Sequence, residues 1–267
     1  MRKIKFKLSI MIMGLFMLAS LSSVNAMPMV GVFGTGQFGG GIETSINSFY
    51  NSLSGVTSSQ LGSLTPTSLT DIDLLWAIQP NDAYTTAEVS AMAGLLAGGG
   101  RIAFMGEHGN IALNENNRIN AALSALGATM SIIPGVIVDG GFRSASVGDG
   151  QILNHSLTNN VNSYEYAAFN PLDLGANGTA LMLGEDNIND IMMGFEIVGP
   201  GSIFMITDQN VLNFSTSDSF DNEIMFENLL VADTGAPPVN NVPEPSTIAL
   251  FGLILAGLGI TRRRSFK

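Results

Sequence analysis

Glu107 and His108 are the residues whose types and setting could most readily do chemistry in this 267-residue sequence. They stand in Met105-Gly106-Glu107-His108-Gly109, just after the apolar run Arg101 to Met105, so a strand there would end with both side chains in its C-terminal turn. A carboxyl beside an imidazole can exchange a proton or ligate a metal. Either task needs a converging partner, and Asp208 and His155 are the candidates; an ordinary polar loop is the competing reading. A second candidate is Gly34-Thr35-Gly36-Gln37-Phe38-Gly39, which spells G-x-G-x-x-G. Gly34, Gly36 and Gly39 could let a pyrophosphate approach a helix N-terminus. No acidic residue follows about 20 positions on to hold a ribose, and Asp71 is too distant. A plain strand-to-helix turn is therefore expected, with no cofactor assigned.

Other chemistries are excluded by what the chain lacks. It has no cysteine, which removes thiol nucleophiles, thiolate metal sites, iron–sulfur clusters and disulfides. G-x-S-x-G and H-E-x-x-H are missing, and the scattered acids have no EF-hand spacing, so no metal site is expected. Eight of the eleven basic residues lie in 1–26 and 246–267. Between 27 and 243 only Arg101, Arg118 and Arg143 face 21 acidic residues, a formal charge of −18 with no lysine. Such a segment cannot form a Walker lysine site, nor bind nucleic acid by neutralising phosphates. It suits a self-repelling soluble body.

The elements that would position Glu107 and His108 are legible from periodicity. Met29 to Phe33, Ile72 to Ile78 and Arg101 to Met105 are short apolar runs, as strands buried on both faces require. Ile42, Ile46, Phe49, Tyr50 and Leu53 share one helical face. Thr85-Thr86-Ala87-Glu88 is a capping box opening a helix to Ala97, which Gly98-Gly99-Gly100 stops. Asn114 is the expected cap of a helix to Leu126, and Thr129 to Ile133 a further strand. Ala180 to Leu183, Ile191 to Ile197 and Ser202 to Thr207 read as strands, the last two joined at Gly199-Pro200-Gly201. Asp221 or Asn222 starts a final helix to about Val231. The expected fold class is α/β, three-layer, with a mostly parallel sheet and an antiparallel extension.

Both termini differ from this body. Arg2, Lys3, Lys5 and Lys7 precede the apolar stretch Leu8 to Leu21, and Val24-Asn25-Ala26 offers the small residues a signal peptidase accepts. Residues 1–26 are thus expected to be a signal peptide, with Met27 the mature start. At the other end, Pro243-Glu244-Pro245 precedes the apolar run Ile248 to Ile260 and then Arg262, Arg263 and Arg264. A helix over 246–261 rises roughly 24 Å at ~1.5 Å per residue, a little short of the ~30 Å hydrocarbon core. Snorkelling arginines cover the difference and stay cytoplasmic, which places the body on the outer side of the inner membrane. The domain reading is 1–26 signal peptide, 27–233 α/β domain, 234–241 linker and 242–267 tail with a single transmembrane helix.

Two resemblances add to this. Val242-Pro243-Glu244-Pro245-Ser246-Thr247, the apolar segment with Gly252, Gly257 and Gly259, and the terminal arginines resemble a PEP-CTERM sorting domain. That resemblance implies recognition by an exosortase, cleavage near Pro243, Glu244 and Pro245, and release or transfer to the cell surface or extracellular matrix, in bacteria that make exopolysaccharide. Asp73 to Trp76, Thr85 to Ala97, the three glycines and Arg101 to Phe104 resemble class I glutamine amidotransferase-like, flavodoxin-like domains. Asn154-His155-Ser156-Leu157-Thr158, Asp208-Gln209-Asn210 and Asp221-Asn222 are similar to stretches of non-catalytic relatives. A catalytic member would have cysteine where Glu107 and His108 stand, so that activity does not carry over. Two function classes follow: a non-enzymatic binding or structural module, or a hydrolase using Glu107 and His108.

Overall fold

The computed structural model describes residues 27–34, 41–212 and 220–232. A seven-stranded sheet forms its centre, in the order β2-β1-β3-β4-β11-β10-β9. Strands β1 (Met29–Gly34), β2 (Thr57–Gln60), β3 (Leu74–Ile78), β4 (Arg101–Met105) and β11 (Gly201–Ile206) run parallel. β10 (Ile191–Val198) joins β11 antiparallel, and β9 (Thr179–Leu183) joins β10 antiparallel. The parallel part has the doubly wound 2-1-3-4-5 order, and the antiparallel strands extend it at one edge.

Helices cover both faces, because the central strands are apolar on both sides. α1 (Ile42–Ser52) and α4 (Asn222–Val231) pack on one face with Val30, Val32, Leu74, Trp76 and Phe204. α2 (Thr86–Ala97) and α3 (Leu113–Leu126) pack on the other with Leu75, Ala77, Ile102 and Phe104. On the first face the Trp76 ring stacks on Phe226 with centroids 5.3 Å apart. Trp76 Nε1 donates to the Tyr50 hydroxyl at 3.3 Å, which donates to the Phe226 carbonyl at 2.8 Å. One buried polar thread therefore ties β3, α1 and α4 together without an unpaired group.

Local signals account for most boundaries. Thr85 and Glu88 form the reciprocal capping box at α2, and Gly127 ends α3 in the left-handed region. Two expectations need correction. Asn114 lies inside α3 rather than capping it: the helix starts at Leu113, out of a 3₁₀ turn over Gly109–Ala112. Thr129 to Ile133 is not a strand of the main sheet. Thr129 and Met130 give their N–H groups to the buried Glu196 carboxylate, each at 2.9 Å, so only β5 (Ser131–Ile132) pairs, with β8 (Leu172–Asp173). β2 is a further strand that no apolar run announces. Its Ser58 backbone is held by the Asn51 amide, which accepts from the N–H at 2.9 Å and donates to the carbonyl at 3.0 Å. A small hairpin of β6 (Arg143–Ser146) and β7 (Ser163–Tyr166) completes the structure. The expected signal peptide and transmembrane helix lie outside the described residues, among which no helix is long and apolar enough to cross a membrane.

Candidate functional site

Parallel strands β3, β4 and β11 end side by side, so their C-terminal turns bring Gln79, Glu107 and Asp208 together. This is where an open α/β sheet ordinarily carries its site. The Glu107 side chain is 1 % exposed and Asp208 is fully buried. Glu107 accepts hydrogen bonds from the N–H groups of His108 at 2.9 Å and Gln209 at 3.4 Å. Burial and then the nearby Asp208 push its carboxyl up to about 8. Burial pushes Asp208 up to about 6, against the N–H bonds that it accepts from Ala167 at 2.6 Å and Asn210 at 2.7 Å. At neutral pH Glu107 is mostly protonated, as two carboxyls in one dry site require.

His108 meets Glu107 with Nε2 3.5 Å from Oε1, and burial lowers its pKa. A neutral imidazole beside a protonated carboxyl is a polar contact, not an ion pair. Its Nδ1 is buried without a hydrogen-bond partner among the described residues. His155 is not part of this site. It lies at the opposite end of the sheet, where Arg101 helps lower its pKa, and its Nδ1 accepts the Leu157 N–H at 3.1 Å.

Three amides that sequence reasoning passed over complete the arrangement. The Glu107 carbonyl accepts from Asn116 Nδ2 at 2.7 Å and Asn170 Nδ2 at 3.0 Å. Gln79, at φ 34°, donates to the Gln209 side-chain oxygen at 3.2 Å. Thr207 Oγ1 donates to the Asn170 carbonyl at 2.6 Å and accepts its N–H at 3.0 Å. Gln79 could have been found, since it follows its strand as Glu107 follows β4. Asn116 and Asn170 carry no comparable signal. Together the groups latch β3, β4, β11 and α3 into one polar end-cap, closed to solvent. No group of three or more metal-ligating side chains forms among the described residues.

The glycine-rich candidate divides. Gly36 and Gly39 lie outside the described residues. Gly34 ends β1 at φ 112°, and a Cβ there would sit 1.9 Å from the Ile78 carbonyl oxygen. Close approach of two backbones is thus enough to require the glycine, with no ligand involved. Pro243, Glu244, Pro245 and Arg262 to Arg264 also lie outside the described residues.

Solved structures with this fold are distant in sequence. The N-terminal domain of mmIFT52 is 16 % identical with a TM-score of 0.59, covering 74 % of this chain and 94 % of its own. A cytoplasmic protein of Salmonella typhimurium is 11 % identical with a TM-score of 0.54, covering 77 % and 99 %. A ThuA-like protein of Parabacteroides merdae is 11 % identical with a TM-score of 0.53, covering 82 % and 94 %. At these identities the likeness is one of fold alone. No curated protein matches the chain. Its tail, residues 241–265, matches the PEP-CTERM protein-sorting motif.

Proposed function

We propose that this chain is an exported precursor, processed by an exosortase, whose α/β body serves at the cell surface as a non-enzymatic binding or structural module associated with exopolysaccharide. The match of residues 241–265 to the PEP-CTERM motif carries the reading. In this reading a signal peptidase removes residues 1–26 and the body spans 27–233. Residues 234–241 link it to a tail that holds it on the outer side of the inner membrane through its apolar helix, stopped by Arg262, Arg263 and Arg264. Pro243 and Pro245 fix φ and keep the chain before the helix extended, which leaves Glu244 presented to the processing enzyme. A non-enzymatic body is supported by the burial of Glu107 and Asp208, whose oxygens take backbone N–H groups. The raised Glu107 carboxyl beside His108 is the observation that favours the alternative, a secreted hydrolase, since such shifts gather at active sites. That alternative requires the turn at 107–109 to open.

Replacing Pro243, Glu244 and Pro245 together by alanine tests the sorting claim in the native host. The variant is expected to accumulate as a full-length membrane-bound species, while wild type is shortened and found outside the inner membrane. Equal mass and equal fractionation of the two would reduce the tripeptide to a linker.

A further inference from the structure

The central sheet has two edges, β2 and β9. Unpaired N–H and C=O groups along an edge are a template for another strand, and proteins ordinarily guard them. β9 is covered by its own chain: the Leu153 N–H donates to the Leu181 carbonyl at 3.0 Å, and the Leu183 N–H to the Gln151 carbonyl at 2.9 Å. β2 has no such segment beside it among the described residues. It pairs with β1 alone, the Thr57 N–H donating to the Pro28 carbonyl at 3.0 Å and the Leu61 N–H to that of Val32 at 2.8 Å. Strand alternation then turns the backbone groups of Ser58 and Gln60 to the outer side.

One side chain meets Ser58 there. Asn51, exposed in the last turn of α1, accepts the Ser58 N–H at 2.9 Å and donates to the Ser58 carbonyl at 3.0 Å. A side-chain amide carries the same donor and acceptor as a peptide unit, so Asn51 stands where a residue of a neighbouring strand would. One turn earlier on the same helix face, Asn47 accepts the Ser58 hydroxyl at 2.8 Å. Ser58 is thereby buried, while Thr57, Ser59 and Gln60 are exposed. The usual guards of an edge, charged side chains and proline, are missing from β2. It reads Thr57-Ser58-Ser59-Gln60, and no charged residue lies between Glu43 and Asp71. β9, by contrast, is flanked in sequence by Asp173 and Glu185.

We propose that the outer edge of β2 is a latent docking edge for a second copy of this chain, and that Asn51 keeps it closed by occupying Ser58. In a body of charge −18, an uncharged edge is where a second copy meets least repulsion. A cationic partner would be drawn to the acids, none of which lies on this strand. Two β2 edges can meet antiparallel about a two-fold axis, an arrangement that closes after two chains. The inference goes beyond the export reading and does not depend on it.

The test uses the full chain, which has no cysteine of its own. Single labels are placed at Ser59→Cys on β2 or Thr179→Cys on β9, both exposed positions. Copies are cross-linked with a short bismaleimide at about 0.15 M salt, where the Debye length is ~8 Å. With Asn51 in place both positions are expected to cross-link weakly and alike. Asn51→Ala is expected to raise cross-linking at Ser59→Cys at least about tenfold, the effect of one net hydrogen bond freed in each copy, and to leave Thr179→Cys unchanged. Asn51→Gln keeps the amide but sets it one methylene too far out to hold both Ser58 groups. It is expected to do the same, and it decides if Asn51→Ala does not fold. Adding Ser58→Pro removes the outward N–H, which an edge strand tolerates, and is expected to abolish the gain. No gain at Ser59→Cys in the folded Asn51 variants, or strong cross-linking there while Asn51 is in place, overturns the proposal. An equal gain at both edges marks association through the tail or through unfolded chain and overturns it as well. A gain that survives Ser58→Pro overturns pairing through the Ser58 backbone. None of these outcomes bears on the sorting motif, so the two readings fail separately.

Discussion

Glu107 and Asp208 stand at strand ends in sequence, and in the fold both carboxyls are sealed and accept backbone N–H groups. Both carboxyls are raised by burial, so the folded state holds protons that the unfolded chain releases. The sign follows from linkage: their stabilising effect is fully present below the unfolded values near 4 and is lost as pH rises to about 8. His108 and His155 are both lowered by burial and act in the opposite direction below their ordinary 6.5. The interval from pH 6.5 to 8.5 therefore isolates the carboxyls. Glu107→Gln, which has no proton to release in either state, is expected to match wild type in thermal melting only at about pH 4 and below. Above that it should melt higher, with the gap still widening between pH 6.5 and about 8, by about 2–4 °C for each 1 kcal/mol. Parallel melting curves across that interval would show that Glu107 does not titrate there.

At the scale of elements, the Thr85 cap and the Gly199-Pro200-Gly201 turn were legible because each is settled by neighbours in sequence, whereas Asn114 lies inside α3. The Thr85 hydroxyl accepts the Glu88 N–H at 3.3 Å and the Glu88 carboxylate accepts the Thr85 N–H at 2.8 Å. Thr85→Ala removes one of these and should cost about 1 kcal/mol. Gly34→Ala is a different matter, since its new Cβ would overlap the Ile78 carbonyl of the adjoining strand at an unfavourable φ. Chemical denaturation is expected to rank Gly34→Ala as the more damaging, by at least about 1 kcal/mol. If it proves as mild as Thr85→Ala, β1 and β3 are less tightly apposed than their register indicates. The strands that sequence reasoning lost, β2 and β5, are polar or clipped, and side chains of distant residues, Asn51 and Glu196, take the bonds that would have identified them.

At the scale of the whole molecule, the acids of the body far outnumber the cations beside them. Between 27 and 243, 21 acids face three arginines; Arg101 and Arg118 bond carbonyls, and Arg143 forms a loose ion pair with Glu185 at 3.6 Å. Such a body repels itself, and salt relieves that. Raising ionic strength from about 0.01 M to about 0.15 M shortens the Debye length from roughly 30 Å to 8 Å. The melting temperature is expected to rise by several degrees over that range, by about 2–4 °C for each 1 kcal/mol of relieved repulsion. A flat response would mean that the acids are too widely spread to interact.

The sequence by itself determined the tail motif, the acidity of the body, the α/β class and the helices α1, α2 and α4 to within a residue or two. These depend on composition and on periodicities within a dozen residues, which need no partner from elsewhere in the chain. The candidate site was half legible: strand-end position pointed to Glu107, His108 and Asp208, and the fold does bring these together. Tertiary structure alone decided that Glu107 and Asp208 are sealed and bonded to backbone N–H groups, that Asn116 and Asn170 serve Glu107, and that His155 belongs to the far pole. It also decided that Arg101 holds the end of α4, 128 positions along the chain. Burial and long-range hydrogen bonding depend on which strands become neighbours, and that order is a property of the packed sheet.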